Sequence, residues 1–318
     1  YFPYNFFYNK TIKLVSFALN YTMQLLIYIL IYPFLWFLSI LPTRLLYAFS
    51  TFIFYWVYYV FGYRKRVVND NLNLCFPKKS KKELKTIEKK FYRHMCDMLI
   101  ESIKSISISE SEMKRRFKFT NIEEIHKIEK ANKSVMLMCA HYGSWEWIFI
   151  IQKHVNHNGY AIYKQIENKY FDRLVRKIRA RYNTYLITNK ETMPTLRQHK
   201  ADGIKAIYGF LSDQSPKVES TYHWKEFMNI KVPVHTGAEK LSKELDMGVV
   251  FFKTKKVKRG YYETTFKTIT LNSSEYDDYQ ITDMFISYLE ELINEAPEYY
   301  LWTHKRWKHK DKVPKDFQ

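Results

Sequence analysis

Ser134-Val-Met-Leu-Met-Cys-Ala-His-Tyr-Gly-Ser-Trp-Glu-Trp147 is the stretch of sequence that decides the fold. Its first seven residues form a short apolar run, which predicts a buried β-strand. Gly143 permits a tight turn and Ser144 is a predicted N-cap, so we expect a helix over residues 145–155. A buried strand that turns directly into a helix is typical of α/β folds.

The same alternation continues through residues 63–318 and predicts one α/β domain with a mixed, largely parallel sheet flanked by helices. Residues 260–269, where Tyr, Thr and Phe alternate, are predicted to be an antiparallel partner at the sheet edge. Further strands are predicted at 134–140, 160–163, 184–188, 204–211 and 248–257, and helices at 80–106 (with Ser80 as N-cap), 170–182, 237–246 and 281–294.

Residues 1–62 are a predicted membrane-anchoring region. Residues 14–43 carry no charge, and about 20 apolar residues suffice for a spanning helix. Membrane helices tolerate a kink such as the one expected at Pro33. A very apolar pair of buried helices in a soluble protein is the alternative.

A second uncharged stretch, residues 45–63, has aromatic residues along its whole length. It could be a second span, but this distribution favours a helix lying in the headgroup region. Arg64-Lys65-Arg66 follows directly, and positive charges beside a span favour the cytoplasmic side. The domain is therefore expected on the cytoplasmic face of the membrane.

Composition restricts the function classes. Lys and Arg number 51 against 32 Asp and Glu, a formal charge of +19, which suits an anionic membrane, an acidic carrier protein, a phosphorylated substrate or nucleic acid. Nucleic-acid binding is disfavoured because the sequence contains no recognisable nucleic-acid-binding motif. Such a function would also leave the apolar N-terminal region unexplained. GxGxxG and GxxxxGK nucleotide-binding motifs are absent, and the three cysteines lack metal-ligand spacing.

His141 and Glu146 are the candidate catalytic residues. Ligands of open α/β sheets bind at the carboxyl ends of the strands, where His141 is expected. A carboxylate bound to one imidazole nitrogen leaves the other free as a general base, with a substrate hydroxyl as the nucleophile. Ser144 lacks the GxSxG setting of a nucleophile. The alternative is a capped helix beside a buried structural histidine.

The motif His141-x4-Glu146 within HYGSWEW resembles that of the glycerolipid acyltransferase superfamily. More specifically, the chain resembles the late acyltransferases of lipid A biosynthesis, the lauroyl/myristoyl type, in a form typical of Bacteroidetes-like bacteria. The resemblance covers nearly the whole chain. It includes Leu41-Pro42-x-Arg44, Tyr63-Arg-Lys-Arg-x-Val-x-x-Asn-Leu72, Phe91-Tyr-Arg-His94, Phe210-Leu-Ser-Asp213-Gln214 and Tyr300-Leu-Trp-Thr-His-Lys-Arg-Trp307-Lys308.

The resemblance implies a role for each matching residue. His141 would be the base and Glu146 its orienting partner, while Arg179 would hold a substrate phosphate or the developing oxyanion. Lys164-Gln165 departs from the Arg-Pro that the family usually has, which weakens a role for Lys164. Asn168 and Arg176, on the predicted helix face of Arg179, and the strand-terminal Asp213 and Gln214 complete the candidate substrate-binding set.

Purely structural roles are the alternative for several of these residues. The arginines could form a solvated helix face, and Asp213 could serve only as a turn-former. The cluster of cations and aromatic rings at residues 302–310 suits a headgroup surface or an acidic partner, or else a solvated basic tail.

The expected function is transfer of a fatty acyl chain from an acyl thioester to a hydroxyl of a lipid A precursor at the bacterial inner membrane. The resemblance favours acyl carrier protein over acyl-CoA as donor, and this chemistry needs no metal or redox cofactor. One alternative is a lysophospholipid or aminolipid acceptor. A different class of alternative is a non-catalytic, membrane-tethered protein that binds anionic lipid.

Overall fold

The computed structural model describes the backbone of residues 4–317 and the side chains of residues 21–317. Nine strands and ten α-helices are present in this part of the chain. The strands are β1 (Phe117–Phe119), β2 (Val135–Cys139), β3 (Asn158–Tyr163), β4 (Thr184–Thr188), β5 (Ala206–Leu211), β6 (Trp224–Phe227), β7 (Ile230–Pro233), β8 (Gly248–Lys258) and β9 (Tyr261–Thr270). The helices are α1 (Tyr4–Ile40), α2 (Thr43–Tyr55), α3 (Lys65–Cys75), α4 (Lys81–Lys104), α5 (Glu110–Arg116), α6 (Glu123–Lys130), α7 (Lys169–Arg179), α8 (Thr192–Ala201), α9 (Gly237–Glu244) and α10 (Gln280–Glu295).

Seven strands form one sheet in the order β1-β9-β8-β2-β5-β3-β4. Only the β8–β9 pair is antiparallel within it, so the predicted mixed, largely parallel sheet is confirmed. Every residue of β2 is buried because helices cover both faces of the sheet. Cys139 at the end of β2 is in register with Leu211 at the end of β5. The residues that follow these two strands therefore emerge side by side at the carboxyl edge of the sheet.

The predicted helix at 80–106 is confirmed as α4, and Ser80 forms a capping box with Glu83. The predicted place of β9 at the sheet edge is wrong, because β1 lies outside it. A strand of three residues is too short to give a readable alternation. The β6–β7 hairpin was also not predicted.

The helix after β2 differs from the prediction in type and capping. Trp145–Lys153 is a 3-10 helix, and the side chain of Ser144 makes no cap hydrogen bond. Its hydroxyl instead lies 3.5 Å from a carboxylate oxygen of Glu101. Gly143 does form the expected tight turn, with φ of +63°, and a Cβ there would lie 3.1 Å from the carbonyl oxygen of Thr254.

Helix α1 is long and apolar enough to cross a membrane over Tyr21–Ile40, with a mean hydropathy of 2.0. Only 11% of its most apolar window is buried inside the molecule. A core helix of a soluble protein would be mostly buried, so this exposure disfavours the soluble alternative for α1.

Helix α2 continues into a π-helix at Trp56–Val60. Leu46, Ser50, Phe54 and Tyr58 recur at four-residue spacing and are buried. The opposite side exposes large apolar side chains to solvent. These are Leu45, Phe52, Tyr55, Trp56, Tyr59, Val60 and Phe61.

Polar contacts attach α4 to α2 on one side and to the β8–β9 hairpin on the other. The hydroxyl of Tyr47 donates to Glu101 (2.8 Å) and that of Ser50 donates to Asp97 (2.7 Å). From the opposite side, Tyr262 donates to Glu101 at 2.9 Å and Arg259 pairs with Asp97 at 2.6 Å. Burial raises the pKa of Glu101 to about 7.

Candidate active site

His141 follows β2 at the carboxyl edge of the sheet, and its side chain is 17% exposed. Its Nδ1 lies 2.7 Å from Oδ1 of Asp213, which follows β5. The ring of Trp145 meets the imidazole edge-on, with centroids 5.2 Å apart. The parallel register of β2 and β5 thus brings together two residues that are 72 positions apart in sequence.

The electrostatics of the pair favour a charged imidazole. Burial alone would raise the pKa of Asp213, but the charge and hydrogen bond of His141 hold it below its ordinary value. Burial would likewise lower the pKa of His141, but Asp213, and to a lesser degree Glu146, raise it on balance. When the imidazole is neutral and its Nδ1–H donates to the ionised Asp213, the lone pair lies on Nε2. Nε2 is 3.4 Å from the side-chain amide of Gln214.

Glu146 does not make the hydrogen bond to His141 that the sequence spacing suggested. Its carboxylate binds Arg179 through two contacts, at 2.6 and 3.2 Å. This paired geometry matches the fork of the guanidinium group. Asp213 therefore takes the orienting position expected of Glu146, and Glu146 and Arg179 form a second ion pair beside the site, with 32% and 20% of their side chains exposed.

Asn168 and Arg176, the other predicted site residues at α7, contact residues other than His141. Asn168 caps α7 by accepting hydrogen bonds from the backbone of Tyr170 and Phe171, and its amide donates to the carbonyl of Gln24 in α1. These hydrogen bonds give Asn168 a structural role at the start of α7 that does not require a substrate. Arg176 is exposed, with its guanidinium 5.8 Å from the centre of the Tyr163 ring.

Residues 299–307, here named the C-terminal strap, contact the loop that carries His141. The backbone N–H of Gly143 donates to the carbonyl of Tyr299 (3.0 Å), and that of Leu301 donates to the carbonyl of His141 (3.1 Å). Tyr142 and Tyr300 form an isolated antiparallel bridge between these bonds. The strap thus extends the loop of His141 by a short piece of sheet pairing.

The strap also holds the loop after Asp213. Ser215 donates from its backbone N–H to Nε2 of His304 (3.3 Å) and from its hydroxyl to the carbonyl of Arg306 (2.6 Å). Arg306 is fully buried, and its Nη1 lies 3.3 Å from the Ser215 hydroxyl. Its Nε and Nη2 have no hydrogen-bond partner among residues 21–317. One strap therefore contacts both loops of the His–Asp pair.

The predicted headgroup or acidic-partner surface at residues 302–310 is wrong for its largest side chains. Trp302, Arg306 and Trp307 are buried, and the two indoles stack with centroids 5.9 Å apart. The alternation of aromatic and basic residues gave no sign of this burial. The resemblance of residues 300–308 to a family signature was the one sequence signal that pointed to this segment.

Mainly apolar cavities lie on the Trp145 side of His141. One of about 240 Å³ is lined by Met95, Met98, Leu99, Trp145 and Leu301, among others. Two others, of about 160 and 60 Å³, are both lined in part by Glu146 and Arg179. No cluster of three His, Cys, Asp or Glu side chains suited to a metal ion occurs in the described part of the chain.

A histidine held by a carboxylate at the edge of an α/β sheet can act as a general base, and the apolar cavities beside it could accept an acyl chain, so the site suits base-catalysed acyl transfer. A family model for bacterial lipid A biosynthesis acyltransferases matches residues 15–309. The chain belongs to this family and is an acyltransferase of lipid A biosynthesis.

Distant relatives agree with the family model. The chain is 23% identical over 246 residues to a lipid A biosynthesis lauroyltransferase of Escherichia coli (strain K12), covering 77% of this chain and 79% of that protein. It is also 23% identical over 251 residues to the lipid A biosynthesis palmitoleoyltransferase of the same strain, and to a lipid A biosynthesis acyltransferase of Shigella flexneri. Each of these two matches covers 77% of this chain and 79% of the relative.

Proposed function

We propose that this chain transfers a fatty acyl group from an acyl thioester to a hydroxyl of a lipid A precursor, with His141 as general base. The observation that carries the proposal is the 2.7 Å contact between Nδ1 of His141 and Asp213 at the carboxyl edge of the sheet. Nε2 takes the proton of the acceptor hydroxyl, and the oxygen attacks the thioester carbonyl. The tetrahedral intermediate then collapses, its carbon–sulfur bond breaks, and the imidazolium returns the proton to the departing thiolate.

Arg179 is the proposed ligand of the negative charge that develops on the carbonyl oxygen or is carried by a substrate phosphate. Its guanidinium is held by Glu146, so its orientation is set before substrate binds. In this proposal Glu146 positions Arg179, Asp213 orients His141 and Gln214 lines the site.

The cavities on the Trp145 side fit the acyl chain. The wall of the largest consists mainly of methionine, leucine and tryptophan side chains, and the burial of each methylene group favours binding by about 0.8 kcal/mol.

The proposed location is the bacterial inner membrane, with the domain on its cytoplasmic side. Helix α1 would cross the bilayer, while the exposed aromatic side of α2 would lie among the headgroups. Helix α1 contacts α7 near the end of β3, and Thr51 of α2 accepts a hydrogen bond from Arg259, directly after β8. Both contacts lie at the carboxyl edge of the sheet, as does His141. The site would therefore open towards the lipid that carries the acceptor.

The donor is proposed to be acyl carrier protein, with acyl-CoA as the alternative. The formal charge of +19 attracts either polyanionic donor.

Replacement of His141 by Ala tests the function. Purified full chain in detergent micelles would be incubated with an acyl carrier protein thioester and a lipid A precursor, and the product identified by mass spectrometry. We expect a rate loss of about 10²- to 10⁴-fold for His141→Ala, with membrane association unchanged. His126→Ala, on the distant helix α6, is the matched control. Wild-type activity in His141→Ala would refute the role of His141, and transfer to a lysophospholipid alone would replace the proposed acceptor.

The pH profile tests the role of Asp213. Asp213 raises the pKa of His141, so Asp213→Asn should lower that pKa and keep the imidazole neutral at lower pH. The acidic limb of kcat/KM should therefore move to lower pH, while the plateau rate falls because the imidazolium loses its partner. An unchanged acidic limb would contradict the proposal.

A further inference from the structure

A groove lined mainly by polar and charged residues lies along α9, separate from the cavities beside Trp145. Its volume is about 560 Å³. It begins at Pro216, three positions after Asp213. Its polar lining includes Tyr222, His235, Thr236, Lys240, Lys243 and Tyr279.

The direction of this α9 groove follows from the topology. Helix α9 leads into β8, which begins beside the start of β2, so the helix begins at the carboxyl edge and ends at the amino edge. Lys243, near the end of α9, also lines the groove and pairs with Glu239 (2.9 Å) and Asp278 (3.1 Å). The groove therefore leads from the neighbourhood of His141 away from the edge that α1 and α2 contact.

The groove and the apolar cavities are linked to His141 through different residues. Trp145, which lines two of the apolar cavities, meets the imidazole edge-on. Gln214 contacts Nε2 and lies two positions before Pro216, which lines the groove. An acyl thioester has its reactive carbonyl between an apolar chain and a polar thiol arm. Such a molecule matches this arrangement of an apolar cavity and a polar groove about one base.

We propose that the α9 groove binds the phosphopantetheine arm that carrier-protein and coenzyme A thioesters share, with Lys240 binding its phosphate. This inference rests on the proposed function. Lys240 is exposed and makes no side-chain hydrogen bond or ion pair with residues 21–317. Thr236 and His235 offer hydrogen bonds to the amide and hydroxyl groups of the arm.

The course of the groove favours the donor over the acceptor. The acceptor is a lipid, so its polar part stays near the membrane, at the carboxyl edge of the sheet. A water-soluble donor approaches from the opposite direction, along which the groove extends.

Two substitutions test the proposal in the full-length protein. Lys240→Ala removes the phosphate ligand, and Lys130→Ala, an exposed lysine on α6 across the sheet, is the matched control. Gly237→Phe obstructs the groove, since a Cβ at Gly237 meets nothing within 4 Å and the folded backbone tolerates it. The donors are acyl carrier protein, acyl-CoA, acyl-pantetheine, which lacks the phosphate, and acyl-N-acetylcysteamine, which lacks most of the arm.

Lys240→Ala should lower kcat/KM by about three- to tenfold for the two phosphate-bearing donors and leave acyl-pantetheine unchanged. Gly237→Phe should lower kcat/KM about tenfold or more for acyl-pantetheine as well, but spare acyl-N-acetylcysteamine. The wild-type kcat/KM values for acyl carrier protein and acyl-CoA are also compared. The donor with the higher value is the one that supplies the arm. Equal losses on all four donors, no loss on any, or a change confined to the KM of the acceptor would overturn the proposal; the last result would assign the groove to the acceptor.

Failure of the proposed function is distinguishable from failure of the groove. If wild-type protein transfers no acyl group from any donor, binding of coenzyme A is measured by titration calorimetry. Weaker binding in Lys240→Ala and Gly237→Phe, but not in Lys130→Ala, would still support the groove. Equal binding in all variants would refute it.

Discussion

Two aromatic segments of this chain have opposite structural roles. Residues 45–61 and the C-terminal strap are both rich in aromatic residues and lie beside clusters of positive charge. In the first segment Trp56 and Phe61 are 44% and 72% exposed, whereas in the strap Trp302 and Trp307 are 0% and 3% exposed. Aromatic and basic composition therefore does not separate a membrane-facing surface from a packed core.

The difference comes from what each segment has beside it. Helix α2 packs mainly on α4, so a single stripe of residues at four-residue spacing is buried and the opposite side is exposed. The strap passes between the loops of His141 and Asp213 and beneath α3, where Asn71 donates to the carbonyls of Trp302 and His304. Because the strap is contacted on several sides, its two indoles are buried.

The largest effect that tests this comparison is expected from Trp302→Ala. Removal of a fully buried indole should lower the free energy of unfolding by about 3 to 5 kcal/mol, measured by chemical denaturation in detergent. Trp56→Ala, the matched control, should change it by less than about 0.5 kcal/mol but weaken binding to anionic vesicles when introduced with Phe61→Ala. Equal destabilisation by the two tryptophan substitutions would refute the assignment.

The second effect is expected at Glu101 of α4, which accepts a hydrogen bond from Tyr47 on the packed side of α2. Its pKa of about 7 lies above the ordinary value of 4.5, so the folded state holds a proton that the unfolded state releases between those pH values. Stability should therefore fall as pH rises through this window. Glu101→Gln should remove this fall and be more stable than wild type at pH 8 by up to about 3 kcal/mol, with little difference near pH 4. Glu263→Gln, at an exposed position of β9, is the control, and identical pH profiles for wild type and Glu101→Gln would contradict the prediction.

The smallest effect is expected from Arg306→Met in the strap. Two guanidinium nitrogens of Arg306 are buried without a hydrogen-bond partner among the described residues, and a buried charge of this kind is costly. We expect Arg306→Met to match or exceed wild-type stability by about 1 to 2 kcal/mol, while kcat falls because Ser215 and the Asp213 loop lose a contact. Arg306→Lys keeps the charge and serves as the comparison. A loss of several kcal/mol in Arg306→Met would show that the arginine stabilises the fold.

The central strands and principal helices could be predicted from the sequence because each is a continuous apolar run or a clear amphipathic period. The partner of His141 could not, because Asp213 reaches it through the register of β2 and β5, which no local pattern encodes. Glu146 was the nearer carboxylate in sequence, but Arg179 occupies it. The burial of Trp302 likewise depends on α3, far away in the chain.

The position of the C-terminal strap in the sequence has a consequence for biosynthesis. The strap follows His141 by roughly 160 residues, and a ribosome that adds about 5 to 20 residues per second takes about 10 to 30 s to cover that distance. Helix α1 precedes His141 in the chain, so it is already synthesised throughout this interval. The nascent chain would thus be able to reach the lipid surface before the strap holds the loops of His141 and Asp213 together, and it would become active only once the strap has been made.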